Sequence, residues 1–279
     1  MILPAGLKFD EIGYWSEIKL DIIREYAAAY SKIMAKRRNP TLHHSYIDAF
    51  AGSGHNISRT TGELVAGSPT NALRVSPPFR AYYLIDLCDE KVSALKSACG
   101  ERSDVHIWGG DCNDILLREV FPRVRFADYR RGLCLLDPYG LHLKWDVIQA
   151  AGRMESIDMF LNFPVADINR NVLWRNPEGV DPADIERMNA FWGDDSWRNL
   201  AYTRDRNLFG FEEKTDNQTV ADGFAERLKR AGGFAHVATP LPMTNSRGAV
   251  VYYLFFASPK PVAQEIVDGI FEKYRARMA

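Results

Sequence analysis

Residues 44–54, HSYIDAFAGSG, decide how the chain is read. Residues 45–47 have the character of a short buried strand, and Asp48 closes it. A loop of small residues follows: Ala49, Phe50, Ala51, Gly52, Ser53 and Gly54. Gly52 and Gly54 permit positive φ, and without a Cβ they let a ligand approach the backbone. In an open α/β sheet the ligand crevice lies beyond the carboxyl ends of the strands, beside such a first turn. Asp48 is placed to accept hydrogen bonds from a ligand amine or from loop N–H groups. The same residues also suit an ordinary strand-to-helix turn, so the choice depends on the rest of the chain.

Downstream the pattern repeats. Residues 81–85 form a second strand ending in Asp86, and residues 105–108 a third, followed by GGDCND with Asp111. Residues 132–136 are continuously apolar, as a buried parallel strand should be, and lead into Asp137-Pro138-Tyr139-Gly140. Residues 157–161 give a fifth strand before Asn162-Phe163-Pro164. Helices fall between them. One precedes the first strand over 17–38, with Ile18, Ile22, Tyr26, Ala29 and Ile33 at helical spacing and Asn39-Pro40 ending it. Residues 55–67 read as an irregular polar segment. Ser68 then caps a helix with Pro69 at its first position, and its N-terminus can face an anionic group. Asp89 caps 90–99, and Asn113 or Asp114 caps the helix after the third strand. A further helix covers 145–153.

After the fifth strand the regularity breaks. Residues 165–211 carry Trp174, Trp192 and Trp197 among many Arg and Asn, with a helix over 182–192. They read as an insertion: a lid, a substrate-recognition segment or a packing elaboration. A helix over 219–231, closed by Gly232-Gly233, leads to strands 234–242 and 249–257 around a turn at 244–248. A helix over 261–275 ends the pattern. The expected fold is one α/β domain over 1–279: a doubly wound, mostly parallel, seven-stranded Rossmann-like sheet with a C-terminal antiparallel hairpin that supplies one antiparallel edge strand, and a helical insertion after strand five. The hairpin argues against a plain nicotinamide-binding domain.

Composition agrees with a globular chain. Of 279 residues 46% are hydrophobic and 25% charged, and the net charge is −1. No apolar run reaches the ~18–20 residues of a membrane helix, and the N-terminus lacks a basic region followed by an apolar block. The expectation is a cytoplasmic protein without membrane association. Cys88, Cys99, Cys112 and Cys134 form no close CxxC pair, so a metal site is not expected; each reads as a small buried hydrophobe. Basic groups at 36–38, 123 with 125, 130–131, and 198 with 204 and 206 read as solvated faces.

Asp48, Asp86 and Asp111 end three successive strands. One nucleoside cofactor satisfies all three: an amine at the first, ribose hydroxyls at the second, adenine at the third. No GxxxxGK[ST] phosphate loop is present, and the Gly52–Gly54 turn holds no Arg or Lys, which suits a cofactor without a pyrophosphate. That points to S-adenosylmethionine, held by Asp48, the loop Phe50, Ala51, Gly52, Ser53 and Gly54, by Ser68, by Asp86 with Leu87, and by Asp111 with Cys112. Asp137 and the Pro138 carbonyl then accept from an acceptor amine, and Tyr139 stacks on the ring bearing it. In-line methyl transfer follows by positioning, without a metal. Such an aromatic platform also holds a base extruded from its stack.

DAFAGSG, GSPTNAL, YYLIDLCDEK, GGDCND, LLDPYG and LNFP, in this order, resemble the three-Cys-motif partner protein family from about Lys19 to the last helix. The resemblance implies the S-adenosylmethionine-dependent methyltransferase fold. It also implies a partner with three cysteines, similar to a phage-derived radical-S-adenosylmethionine-like protein. DPYG also looks like the Asp-Pro-Phe-Gly of tRNA guanine-N2 methyltransferases and the Asp-Pro-Pro-Tyr of amino-methylating DNA enzymes, with Asp137, Pro138 and Tyr139 matching in turn; Gly140 departs from the latter. The implied reaction is methylation of an amino nitrogen, of a nucleobase in DNA or RNA. The alternatives are a small-molecule or peptide acceptor, or a cofactor-binding module serving the partner.

Overall fold

The computed structural model describes residues 9–37, 41–206, 212–245 and 247–278. Its main sheet contains β1 (His43–Asp48), β2 (Ala81–Asp86), β3 (Val105–Gly109), β4 (Arg130–Leu136), β5 (Ile157–Phe163), β6 (His236–Val237), β7 (Leu241–Thr244) and β8 (Val250–Ser258). The order is β3-β2-β1-β4-β5-β8, with β6 and β7 in line along the outer side of β8. β1 to β5 are parallel, and β8 runs antiparallel to β5. Two expectations are corrected. The seventh strand position is split into β6 and β7, interrupted at Thr239-Pro240, because Pro has no N–H to give the ladder. The antiparallel strand is not the edge: β8 is too apolar to leave one side unpaired, and β6 and β7 cover it.

Ten helices are assigned among the described residues: α1 (Tyr14–Ala35), α2 (Ser68–Leu73), α3 (Asp89–Cys99), α4 (Cys112–Ile115), α5 (Trp145–Arg153), α6 (Val165–Asn171), α7 (Pro182–Trp192), α8 (Arg198–Ala201), α9 (Asn217–Arg230) and α10 (Pro261–Met278). The period-two alternation of the strands divides the core. Ile47, Cys134, Met159, Leu161 and Phe255 face α5, α7 and α9. Tyr46, Leu133, Leu135, Phe160 and Phe256 face α1, α3 and α10. The sheet is thus covered on both faces, which is why its strands read as apolar runs. None of the described helices is long and apolar enough to cross a membrane.

Local departures have local causes. Residues 55–67 are not irregular: His55–Ser58 and Leu64–Ala66 pair antiparallel, and Asp10–Ile12 joins in parallel. Their partner lies more than forty residues upstream, so no local pattern marks them. α1 begins three residues earlier than its periodicity suggests and is capped by Lys36; the expected stop at Asn39-Pro40 lies outside the described residues. Gly67, not Ser68, is the N-cap of α2, and Cys88, not Asp89, that of α3. Asp111 caps α4 by accepting from the Asn113 N–H. β5 runs on through Asn162 and Phe163.

The segment after β5 is packed rather than detached. Phe191 and Trp192 of α7 and Trp197 are buried. Phe224 of α9 stacks on Phe191 and meets Phe163, Trp192 and Phe255. Arg227 donates to the Trp192 carbonyl and to Asp194 and lies over the Trp145 ring. Such aromatic contacts add about 0.5–1.5 kcal/mol each beyond area burial. Residues 207–211 of the expected insertion lie outside the described residues.

Candidate active site

Parallel strands bring their carboxyl ends to one edge, and there the loops after β1 to β5 meet. The loop after β1 is built by backbone pairing. Gly67 N–H donates to the Gly54 carbonyl at 2.8 Å, and the Thr70 hydroxyl to the same oxygen at 2.6 Å. A Cβ on Gly67 would sit 3.0 Å from Gly54 backbone atoms, so a side chain there would push the two backbones apart. Gly52 has φ +62°, and a Cβ there would project into open space. That opening is a cavity lined by Gly52, Ser53, Gly54, Ser68, Asp137 and Tyr139, roofed by Asp10, Ile12 and Lys19 from the N-terminal segment.

Asp48 does not face this cavity. It is fully buried, accepting from Tyr46 Oη and Phe50 N–H at 3.2 Å each and from the Ser68 side chain. Burial pushes its carboxyl up to about 6, against these hydrogen bonds. Three donors within the chain thus ring Asp48 and tie it to the loop after β1, and the described structure gives it no open face toward the cavity. Ser68 likewise spends its hydroxyl on Asp48 instead of capping α2.

Asp86 spans two loops. Its Oδ2 accepts from Gly52 N–H at 2.8 Å and its Oδ1 from Cys88 N–H at 2.9 Å. Each oxygen keeps a lone pair, so the carboxylate can also accept from a ligand diol. Beyond it lies a cavity of about 200 Å³ lined by Ala49, Phe50, Leu87, Asp111, Cys112 and His142. Leu87 is 76% exposed there, as an apolar wall for a flat ring would be. Asp111 Oδ1 accepts from both the main-chain and side-chain nitrogens of Asn113 at 2.8 Å, and no partner is seen for Oδ2 among the described residues. Phe50 lines both cavities.

A third cavity, about 270 Å³, opens on the far side of Asp137 and Tyr139. Here Asp137 and Pro138 have partners within the chain. Both Asp137 oxygens accept from Lys19 Nζ, at 2.6 and 2.5 Å. Lys19 is buried, and burial lowers its pKa less than Asp137 and Tyr252 raise it, so the net shift is upward. Its ammonium also lies over the Tyr252 ring, 5.1 Å from the centroid. The Pro138 carbonyl accepts from Asn162 Nδ2 at 3.1 Å. The expected acceptors for a substrate amine thus already hold donors. Tyr139 is 78% exposed; its ring stands at the mouth between two cavities and stacks on no ring of the protein among the described residues.

Two residues that sequence reasoning did not assign emerge. Lys19 left no signal, since nothing in an amphipathic helix shows a partner 118 residues away. Asn162 was visible only as part of LNFP. It is buried, and its Oδ1 is the one buried side-chain oxygen or nitrogen without a partner among the described residues. It lines the third cavity.

The crystal structure of protein LPL1258 from Legionella pneumophila str. Philadelphia 1 aligns with 91% of this chain and 91% of its own, at a TM-score of 0.51 and 12% identity. The two chains share a fold. The DszA carbon methyltransferase aligns at a TM-score of 0.47 and 13% identity, over 87% of this chain and 54% of its own. A SAM-dependent methyltransferase of the DUF858 family from Leishmania major aligns at 0.38 and 10% identity, over 87% and 82%. No family model and no curated protein sequence matches the chain.

Among the described residues no group of three or more His, Cys, Asp or Glu could hold a metal ion. Cys99, Cys112 and Cys134 are buried, and Cys88 is half-buried. Burial raises the Cys112 thiol to about 12 and pushes Cys134 up as well, so neither is a nucleophile at neutral pH.

Proposed function

We propose that the chain binds S-adenosylmethionine and transfers its methyl group to an amino nitrogen. The observation that carries this reading is the Asp86 carboxylate, pinned between Gly52 N–H and Cys88 N–H, with Gly52 lining one cavity and Leu87, next to Asp86, lining the other. The residues fit the group. The vacant Cβ direction of Gly52 leaves room beside the loop, Asp86 retains lone pairs for ribose hydroxyls, and Leu87, Phe50 and Asp111 frame a slot for adenine. Bound there, the sulfonium supplies an activated methyl group. The chain's own part is to position the acceptor. Asn162 Oδ1 accepts an acceptor N–H, Tyr139 presents a ring face at the mouth, and the Lys19–Asp137 pair fixes the charge between the two sites.

The acceptor we favour is an exocyclic amine of a nucleobase, because Tyr139 offers a flat exposed face and Arg170 lines the same cavity without an ion pair among the described residues. Isothermal titration with S-adenosylmethionine tests the cofactor; no heat, or heat unchanged in Asp86→Ala, ends the claim. Tritiated cofactor incubated with DNA, RNA and small molecules tests the acceptor, and label confined to small molecules removes the nucleobase.

One observation favours a second reading. Asp137 and Pro138, the groups expected to orient the amine, are engaged by Lys19 and Asn162. A module that binds cofactor for a partner protein, such as a three-Cys protein, needs no free acceptor there. Cofactor binding without label transfer to any acceptor, together with co-purification of the partner, supports that reading.

A further inference from the structure

We propose a second ligand site, for a small aromatic anion, at the opposite end of the sheet. A cavity of about 350 Å³ lies where β4 and β5 begin and β8 ends. Arg131 is six residues before Asp137 along β4, so at about 3.3 Å per residue the two sites are about 20 Å apart. Tyr26 and Tyr30 of α1 form the inner wall, and Phe126 and Tyr129 the rim. Phe126, Tyr129 and Val262 are all exposed large apolar side chains, an unusual grouping beside a pocket. Tyr129 and Glu155, both lining it, are the non-glycine residues with left-handed φ, at 56° and 53° among the described residues. Such conformations gather at binding sites because they cost free energy that the surroundings must impose.

The charges select the ligand. Arg131, read from sequence as part of a solvated face, is half-buried instead. Its guanidinium lies 3.7 Å from the Phe126 ring centroid and donates to the carbonyls of Phe126 and Arg130. Among the described residues it ion-pairs with no carboxylate, and neither do Arg37 or Lys260, which line the same cavity. The facing acids are Asp158 and Glu155. Asp158 is buried, accepts from Tyr26 Oη at 2.7 Å and the Ser258 hydroxyl at 2.6 Å, and burial shifts its carboxyl upward. Three cations against one exposed and one buried carboxylate leave a net positive, aromatic-walled pocket. A flat ring fills the space between the tyrosines and Phe126, and its carboxylate, phosphate or sulfonate meets Arg131 and Lys260.

The probe is 8-anilinonaphthalene-1-sulfonate, titrated by fluorescence into the full chain at fixed salt. The expected result is one saturable site, weakened tenfold or more in both Arg131→Gln and Lys260→Gln and tightened in Glu155→Gln. Thermal midpoints establish that the variants are folded. N-Phenyl-1-naphthylamine, the uncharged counterpart, is expected to bind at least tenfold more weakly. Displacement by indole-3-acetate or by phenyl phosphate distinguishes a carboxylate from a phosphate ligand. Equal binding of the charged and uncharged probes, indifference to both cation variants, or failure of both anions to displace the probe overturns the proposal.

Discussion

Lys19 places its ammonium against both oxygens of Asp137, tying the middle of α1's first turns to the loop after β4. Lys19 is 9% exposed and Asp137 24%, so neither charge is freely hydrated. Removing one partner strands the other. Lys19→Met is expected to cost about 2–3 kcal/mol, at or below the range for breaking a buried pair because Asp137 keeps some contact with water. Lys19→Met/Asp137→Asn is expected to return to within about 1 kcal/mol of the parent. Urea unfolding of the parent, both single variants and the double variant measures the coupling; additive losses would show that the pair does not interact.

Asp48 gives stability a pH dependence of defined sign. Its folded-state pKa is raised from 3.8 to about 6, so the folded protein holds this proton more tightly than the unfolded chain. The contribution is fully present below about pH 4 and is lost as pH rises through 6. The span corresponds to about 3 kcal/mol. Asp48→Asn carries the same loop-packing cost at every pH. Its stability relative to the parent should therefore improve by up to that amount between pH 4 and pH 7.5. Denaturant unfolding at the two pH values checks this, and a constant difference refutes it.

Asp86→Asn removes the negative charge shared by Gly52 N–H and Cys88 N–H. Charge-assisted hydrogen bonds are worth about 1.5–3 kcal/mol, so affinity for S-adenosylmethionine is expected to fall at least tenfold by titration calorimetry. Unchanged affinity places the cofactor elsewhere.

Asn162→Ala separates the two halves of the proposed site. Asn162 touches the third cavity and the Pro138 carbonyl but not the cavity beside Asp86. Methyl transfer is expected to drop about ten- to hundredfold, with cofactor affinity within a factor of two. Equal losses in both would mean that Asn162 only supports the loop.

Gly152 tests the packing of α5 against the end of α9. A Cβ there would fall 2.0 Å from the Gly232 carbonyl oxygen, a backbone atom that cannot rotate away. Gly152→Ala is expected to destabilise by about 3 kcal/mol or more. A melting temperature within two degrees of the parent disproves the contact.

The alternation of strands and helices was legible because the central strands of a doubly covered sheet carry apolar runs; β1, β2, β4 and α5 begin within two residues of where the pattern puts them. The acids at strand ends were legible for the same reason, since the strand ends were. Their roles were not. Whether a carboxylate faces a ligand or a ring of donors depends on groups such as Ser68 and Tyr46, whose approach to Asp48 is set by tertiary packing. The small sheet of Asp10–Ile12 with residues 55–58 and 64–66 was hidden because it pairs a terminal segment with a distant loop. Lys19 was hidden because ion pairing across 118 residues leaves no periodic trace. The broken edge of β6 and β7 was partly announced by Pro240, but a proline interrupts a strand without saying whether pairing resumes beyond it.

The position of β8 bears on how the chain matures during synthesis. Residues 250–258 fill the slot between β5 and the β6–β7 edge, so a nascent chain that has emerged only through residue 245 presents β5 with one unpaired flank of N–H and C=O groups. Unpaired flanks recruit other strands, and a buried, mostly apolar strand such as IDMFLNF is a poor one to leave waiting. Completion of the sheet therefore falls to β8, after β5 and the segment between them have been made. A chain truncated before residue 250 should sediment or recruit chaperones, whereas one that includes β8 and α10 should do neither.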